Sequence, residues 1–591
     1  MAKYIRYIGI DFGTNNTVLC WRLYNTETKE WGQIHTLNEG TSSTIPSLIY
    51  VSGNGEPLFG EKVASRISYY KSMGDKGTLY NRFKMDIPSE DEKKRKAAFD
   101  ASVTFLKYLY DRYKQQPIDA LPKEVKPSDI EEQTYVSYPT RWPQFARRLT
   151  EEAVSAAGFK NVNIDHKCTE EPYAAFRYLL LHSNEQVSQL EAKGILIHGR
   201  PVFVLVVDMG AGTTDVSLIR FVPGDAEDKR NEVLLNYPSP SNDAEAKKWT
   251  FGGGDIDNAL MDLLKNFLVS DAKEVLSSYA EWSEEPVDKL LQDLLYPLNI
   301  RSWKEESVNS VLSDNKTCTT FPSSFHGMLA KKLPPLRLDR TTYAKYCGDG
   351  MNRFCHIVNG AVQKAMELKQ IPNAEAIDLV VLTGGHSKSW FVRDLLCGKT
   401  LPGTSTTIEL PKIKREPNRI MQWKIPEETV ARGLCTLLES KPFRHRLTHS
   451  VWIRVQEKYY EQFKVSNCSG WKCLIDHRAS DIILPVKKTA TLNFTVENHP
   501  KYDNLHFNVE VAVGETLDEA VKKSYLAVVD QSVVANLVVD VMLLGTRWLT
   551  DISADYRMDN TILIKEDLSI DWNYELSGYG EHGNGKIELK P

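Results

Sequence analysis

The sequence predicts an α/β protein in two parts: a duplicated, two-lobed α/β region over residues 1–440 and a β-rich domain over 445–591. Three observations predict it. The plan of apolar strand, Asp, small residues with threonine, and second apolar strand occurs twice, as IGIDFGTNNTV (Ile8 to Val18) and VVDMGAGTTDV (Val206 to Val216). Each copy opens a stretch in which strand-like and helix-like segments alternate, so the repeat reads as two βαβ-like halves facing across a cleft. Beyond 445 the pattern changes to strict alternation: Leu492, Phe494 and Val496; Leu505, Phe507, Val509, Val511 and Val513; Leu568, Ile570, Trp572, Tyr574 and Leu576. Period two between turns means antiparallel sheet with one buried face.

In chain order, YIRYIGIDFGTNNTVLCWRLY reads as a hairpin and TIPSLIYV as further strand. SEDEKKRKAAFDASVTFLKYLYDRY predicts a helix and QQPIDALPKEVKPSD a solvated loop. RWPQFARRLTEEAVSAAGF predicts an amphipathic helix with Pro143 in its first turn and Gly158 at its end. VNIDHKCTEE reads as strand and PYAAFRYLLL as helix. After the second hairpin and a polar loop, VPGDAEDKRNEVLLNYPSPSNDAEAKK, a glycine turn feeds a helix in FGGGDIDNALMDLLKNFL. Helix is expected over 271–310. RTTYAKYCGDGMNRFCHIVNGAVQKAMEL predicts a long helix interrupted near Gly348 to Gly350, AIDLVVLTGGHSKSWFVRDLL a strand, Gly-Gly turn and helix, and PEETVARGLCTLLES a helix begun by Pro426. The boundary to the β-rich part falls near ESKPFRHRLTHS.

The composition, 591 residues with 42% hydrophobic and 26% charged, is that of a globular protein of several domains at ~150 residues each. A net charge of −5 argues against a generally basic surface, so no nucleic-acid partner is expected. The nine cysteines contain no CxxC pair, which speaks against a zinc site, and the odd count suits a reducing compartment. The N-terminus has no apolar signal core, and no run reaches the ~20 apolar residues of a membrane span. The expected location is cytoplasmic, with the nucleus as the alternative.

A strand-end Asp followed by glycines makes a turn with uncovered backbone N–H groups, a nest for phosphate oxygens that small residues let come close. The carboxylate makes sense beside phosphate when a divalent cation sits between them, and magnesium, which keeps much of its water shell, is commonly held through water. Two facing hairpins would grip a polyphosphate from both sides, with Asp11 and Asp208 aimed at one metal. LVVLTGG (Leu379 to Gly385) and FGGGDIDN (Phe251 to Asn258) add two more places where a nucleotide can approach backbone. Each segment alone reads first as a tight turn or short loop; the set is what points to a nucleotide.

The set resembles the actin, hexokinase and heat-shock 70 kDa ATPase superfamily, and within it the heat-shock 70 kDa chaperone family. IGIDFGTNNTV, VVDMGAGTTDVSL, FGGGDIDN, VVLTGGHSKSWFVRDLL and PEETVARGL fall in that family's order, and the likeness covers most of residues 5–440. It implies a duplicated actin-like (ribonuclease-H-like) two-lobed ATPase domain followed by a β-sandwich-like domain. TLYNRFKMDI resembles the segment carrying the family's catalytic lysine, here Lys84, and CTEEPYAAF the one carrying its glutamate, here Glu171. The divergence is similar to that of the atypical group typified by heat-shock 70 kDa protein 12. Carried over, the resemblance implies that Gly13, Thr14, Asn15 and Asn16 cradle the β/γ-phosphates and Gly210, Ala211, Gly212 and Thr213 close the other side. Asp11 and Asp208 would hold hydrated Mg2+, and Thr213 and Asp215 would position groups near the γ-phosphate. Lys84 would neutralise developing charge and Glu171 orient the attacking water. Gly253, Lys304, Gly384, Gly385 and Lys388 would line the nucleoside end, and Pro139 and Arg147 would link nucleotide state to the rest of the domain.

The implied cofactors are ATP/ADP and Mg2+, and the implied activity slow ATP hydrolysis coupled to lobe motion. The implied partners are unfolded or extended polypeptide clients, with J-domain and nucleotide-exchange co-chaperones by family analogy. Departures qualify this. Ala211 replaces a glycine; His386 and Lys388 stand where the family has a serine and an arginine; Glu305 stands beside Lys304 in place of an arginine. A lysine cannot stack a planar group on a base as arginine does. The β-rich part lacks the family's apolar linker, helical lid and acidic tail. Two rivals follow: a nucleotide-gated binding module with little hydrolysis, and a small-molecule kinase using the same cleft.

Overall fold

The computed structural model describes residues 3–72, 75–89, 91–116, 129–140, 142, 144–224, 230–238, 250–325, 327–439, 443–447, 450–455, 457–459, 464–476, 482–497, 505–514, 517, 535–541, 553–565, 570–576 and 581–587. Pro143, most of the loop expected over 115–129, and parts of the polar loop after the second hairpin lie outside them.

Two sheets organise the α/β region. In the first, Tyr4–Asp11 pairs antiparallel with Asn16–Asn25 and parallel with Ile130–Val136. In the second, Val202–Met209 pairs antiparallel with Thr214–Phe221 and parallel with Ile377–Thr383. The registers put Asp11 opposite Val18, and Asp208 between Asp215 on one side and Thr383 on the other. Asp11 and Asp208 therefore stand at the carboxyl ends of interior strands, where open α/β sheets bind ligands. Both strands are apolar on both faces because helices cover them. Thr429–Cys435 packs on Tyr4–Asp11 and on Glu171–His182, while Arg340–Glu367 packs on Gly253–Val269 and on Thr214–Phe221.

The helix Arg340–Glu367 begins at Asp339, whose side chain accepts from Thr342 N, and buries Tyr343, Cys347, Met351, Phe354, Val358 and Val362 at spacings of three and four. It runs without the interruption expected near Gly348 to Gly350. Those glycines serve packing instead: a Cβ on Gly348 would lie 2.7 Å from Gly403 O, and one on Gly350 2.7 Å from a Phe251 ring carbon. The strand expected over VNIDHKCTEE is also absent. Asn161, Asn163 and His166 adopt φ of 50, 45 and 54°, left-handed backbone that prevents an extended run, and only isolated bridges Thr134–Val162 and Tyr138–Glu170 remain. The PEETVARGL helix spans only Thr429–Cys435, because the Pro426 carbonyl accepts the hydroxyls of Thr383 and Thr429.

The β-rich part holds a four-stranded and a six-stranded antiparallel sheet. Val451, Ile453, Val509 and Val511 from one share an apolar core with Leu492, Phe494, Met558, Ile562 and Trp572 from the other, which is the alternation expected of Leu492, Phe494, Val509, Val511 and Trp572.

Hydrogen bonding is continuous across residue 445. Arg444–Arg446 adds to Glu232–Tyr237 as a parallel strand, and Ile483–Leu484 pairs antiparallel with it. Buried Glu232 anchors this edge through Arg220 at 3.2 Å, Arg444 at 3.6 Å and Arg446 at 3.2 Å. Between the arginines, His445 packs edge-on against Tyr173 at 4.7 Å, and burial pushes its imidazole from 6.5 down to about 3. In that window the unfolded chain binds the proton and the folded chain does not, so this stability is complete above 6.5 and is lost as pH falls towards 3. We expect acidification to about pH 5 to cost about 2 kcal/mol through this group, and urea unfolding of H445F to lack that part of the slope.

Candidate functional site

The two hairpin turns meet. They line one cleft of about 910 Å³, open mouth included, together with Lys84, Glu171, Gly253, Lys304, Gly384 and Gly385.

The first turn, Gly13 to Asn16, is fixed by Ser47, whose hydroxyl donates to Gly13 O at 2.8 Å and whose N–H donates to Asn15 O at 2.7 Å. The second, Gly210 to Thr213, is closed by Gly210 N donating to Thr213 O at 2.9 Å. It is braced by the start of the helix Gly253–Val269: Gly253 N donates to Gly210 O at 3.0 Å and Gly254 N to Ala211 O at 2.8 Å. Gly384 adopts φ 76°, and a Cβ there would sit 2.5 Å from Met209 O, so the third strand end can approach Asp208 only as glycine.

Lys84 rides on a short 3-10 turn, Phe83–Asp86, and Glu171 opens the helix Glu171–His182, with Pro172 suited to its first turn. Their buried side chains form an ion pair at 3.0 Å, with the Lys84 ammonium also 5.2 Å from the Trp142 ring and 5.9 Å from that of Phe12. Asp11 accepts from Ser137 Oγ at 3.1 Å. Burial raises the carboxyls of Asp11, Glu171 and Asp208; Lys84 opposes the rise in each, while neighbouring carboxylates add to it at Glu171 and Asp208. Glu171 is pushed up to about 7.

Two expected residues do not line the cleft. Asp215 is buried behind the second turn, accepting from Thr140 N at 3.0 Å and Thr140 Oγ1 at 2.6 Å. Lys388, half-exposed, pairs with Glu427 at 2.5 Å instead. Behind the cleft, Arg147 donates to Thr140 O at 2.9 Å and to Glu170 Oε1 at 3.0 Å, next to the cleft-lining Pro139.

Thr44, Asn309, Ser389 and Glu427 also line the cleft and were not singled out from the sequence. Asn309 follows a π-helical turn over Lys304–Val308, a local widening that hydrophobic periodicity does not reveal. Glu427 lies inside PEETVARGL, so its motif was visible but not its role.

This is a mixed α/β protein with a cleft at the carboxyl ends of strands from two sheets. No family model matches the chain. It is 22% identical over 430 residues to the "Chaperone protein DnaK" of Thermosipho melanesiensis, covering 72% of this chain and 58% of that protein. It is 26% identical over 438 residues to the "Chaperone protein DnaK" of Thermosipho africanus, covering 73% and 59%. The chain is thus a distant homologue of DnaK chaperones that spans under two thirds of their length, and its architecture is compatible with the heat-shock 70 kDa and actin ATPase fold. No helix among the described residues is long and apolar enough to cross a membrane.

Proposed function

We propose that the chain is an ATP- and Mg2+-binding, heat-shock 70 kDa-like chaperone that hydrolyses ATP slowly. In this reading a duplicated actin-like domain over 1–440 signals nucleotide state to a β-sandwich-like, polypeptide-binding domain over 445–591, and the altered turn and the RFKM segment place it beside the heat-shock 70 kDa protein 12 group. The carrying observation is that both Asp-glycine turns and the Lys84–Glu171 pair line one cleft.

The residues fit the cofactors. Three buried carboxyls, Asp11, Glu171 and Asp208, crowd around the Lys84 ammonium, and burial holds each above its usual range, a donor set that a dication relieves. In this reading Asp11 and Asp208 hold the ion through water. When bound, Mg2+ neutralises polyphosphate charge. The chain's own residues do the rest: the turn N–H groups seat the phosphates, Lys84 balances charge developing at the γ-phosphate, and Glu171 orients the water. Calorimetry should show ADP binding that Mg2+ strengthens, and D208N should lose about tenfold or more of that strengthening. A wild-type chain that binds no nucleotide ends this reading.

Ala211, with a methyl in the phosphate turn, and the already paired Lys84 favour a second reading, a nucleotide-gated module that barely hydrolyses. Tight ATP binding with no phosphate released over hours would select it. The kinase reading returns only if ATP turnover requires an added sugar or polyol.

A further inference from the structure

We propose that the nucleoside end of the cleft reads its base through hydrogen-bond acceptors rather than by stacking it on a cationic plane, and so takes guanine nucleotides about as well as adenine nucleotides. The inference rests on the nucleotide reading above and narrows its substrate class to purine nucleotides of both kinds.

Three side chains lining this end carry polar atoms that are buried and without a partner among the described residues: Glu427 Oε2, Asn309 Oδ1 and His386 Nε2. Glu427 and His386 are held in place. Glu427 lies along Gly385, and its other oxygen is taken by Lys388 at 2.5 Å, which leaves Oε2 for a ligand. Asn309 follows the π-helical turn Lys304–Val308. The His386 ring sits edge-on between Phe251 at 5.4 Å and Phe391 at 5.8 Å, with Nδ1 3.0 Å from Ser389 Oγ. Burial and nearby Lys304 keep that ring neutral. Lys304 itself is occupied, its ammonium 2.6 Å from Asp257 and 3.3 Å from Gly253 O. Among the described residues no arginine lines the cleft.

A carboxylate oxygen and an amide oxygen ask for N–H donors. Guanine offers N1–H and its 2-amino group on one edge, and adenine offers its 6-amino group. A buried acceptor left unmet penalises a base that lacks the donor. Guanine meets at least as many of these atoms as adenine does.

Calorimetry on the full chain with Mg2+ and ATP, GTP or ITP as probes tests this. ITP carries guanine's ring without the 2-amino group. GTP should bind within about tenfold of ATP, ITP about tenfold more weakly than GTP, and E427Q should close the GTP–ITP gap. GTP weaker than ATP by more than about tenfold, or a GTP–ITP gap that E427Q leaves unchanged, overturns the proposal. Binding of ATP alone would defeat this inference and leave the ATPase reading standing; binding of none of the three by the wild-type chain removes both.

Discussion

K84A and E171A should each slow single-turnover ATP hydrolysis by about 100-fold or more, and the double variant should be no slower than the worse single one. The two side chains form one buried unit at 3.0 Å. Without Lys84, the Glu171 carboxyl loses the ammonium that opposes its burial and is driven further above about 7, so it is protonated near neutrality and cannot orient water as a carboxylate. Without Glu171, the attacking water has no acceptor. Because losing Lys84 also disables Glu171, the effects do not add. Nucleotide affinity should fall far less than the rate, since the turns proposed to seat the phosphates belong to other elements. Unchanged rates in both single variants would remove the hydrolytic mechanism and leave the gated-module reading.

R147M should cost about 3–5 kcal/mol of stability near neutral pH, the range found when one partner of a buried pair is removed. Arg147 and Glu170 are both about 4% exposed and 3.0 Å apart, and Arg147 also donates to Thr140 O and Trp142 O and stacks over Tyr138 at 4.4 Å. Burial already raises Glu170, with Arg147 as the main force opposing it. In R147M that carboxyl rises further, so the folded chain binds a proton that the unfolded chain releases above 4.5. The penalty is therefore largest at neutral pH and shrinks as pH falls towards 4.5. Urea unfolding at several pH values measures it, and a penalty independent of pH would show that Glu170 is not the group left stranded. Thr140 links this pair to Asp215 and the second turn, so nucleotide binding should weaken in R147M even where the protein is folded.

What could be read from the residues, and what could not, divides along one physical line. Strand-end Asp11 and Asp208, the small residues of both turns, and period two in Leu492, Phe494, Val509, Val511 and Trp572 are local facts, because a turn's backbone freedom and a strand's alternation depend on neighbours in sequence. The helix was misjudged at Gly348 and Gly350 because their missing Cβ atoms make room for Gly403 and Phe251 from elsewhere in the chain. VNIDHKCTEE was misjudged because Asn161, Asn163 and His166 tolerate left-handed backbone that an apolar count ignores. Tertiary structure alone decided that Lys84 and Glu171, far apart in sequence, form a buried ion pair, that Asp215 faces Thr140 and not the cleft, that Lys388 is spent on Glu427, and that Asn309 lines the cleft. Charge, burial and hydrogen-bond partners depend on which atoms arrive in three dimensions, and no spacing along the chain encodes that arrival.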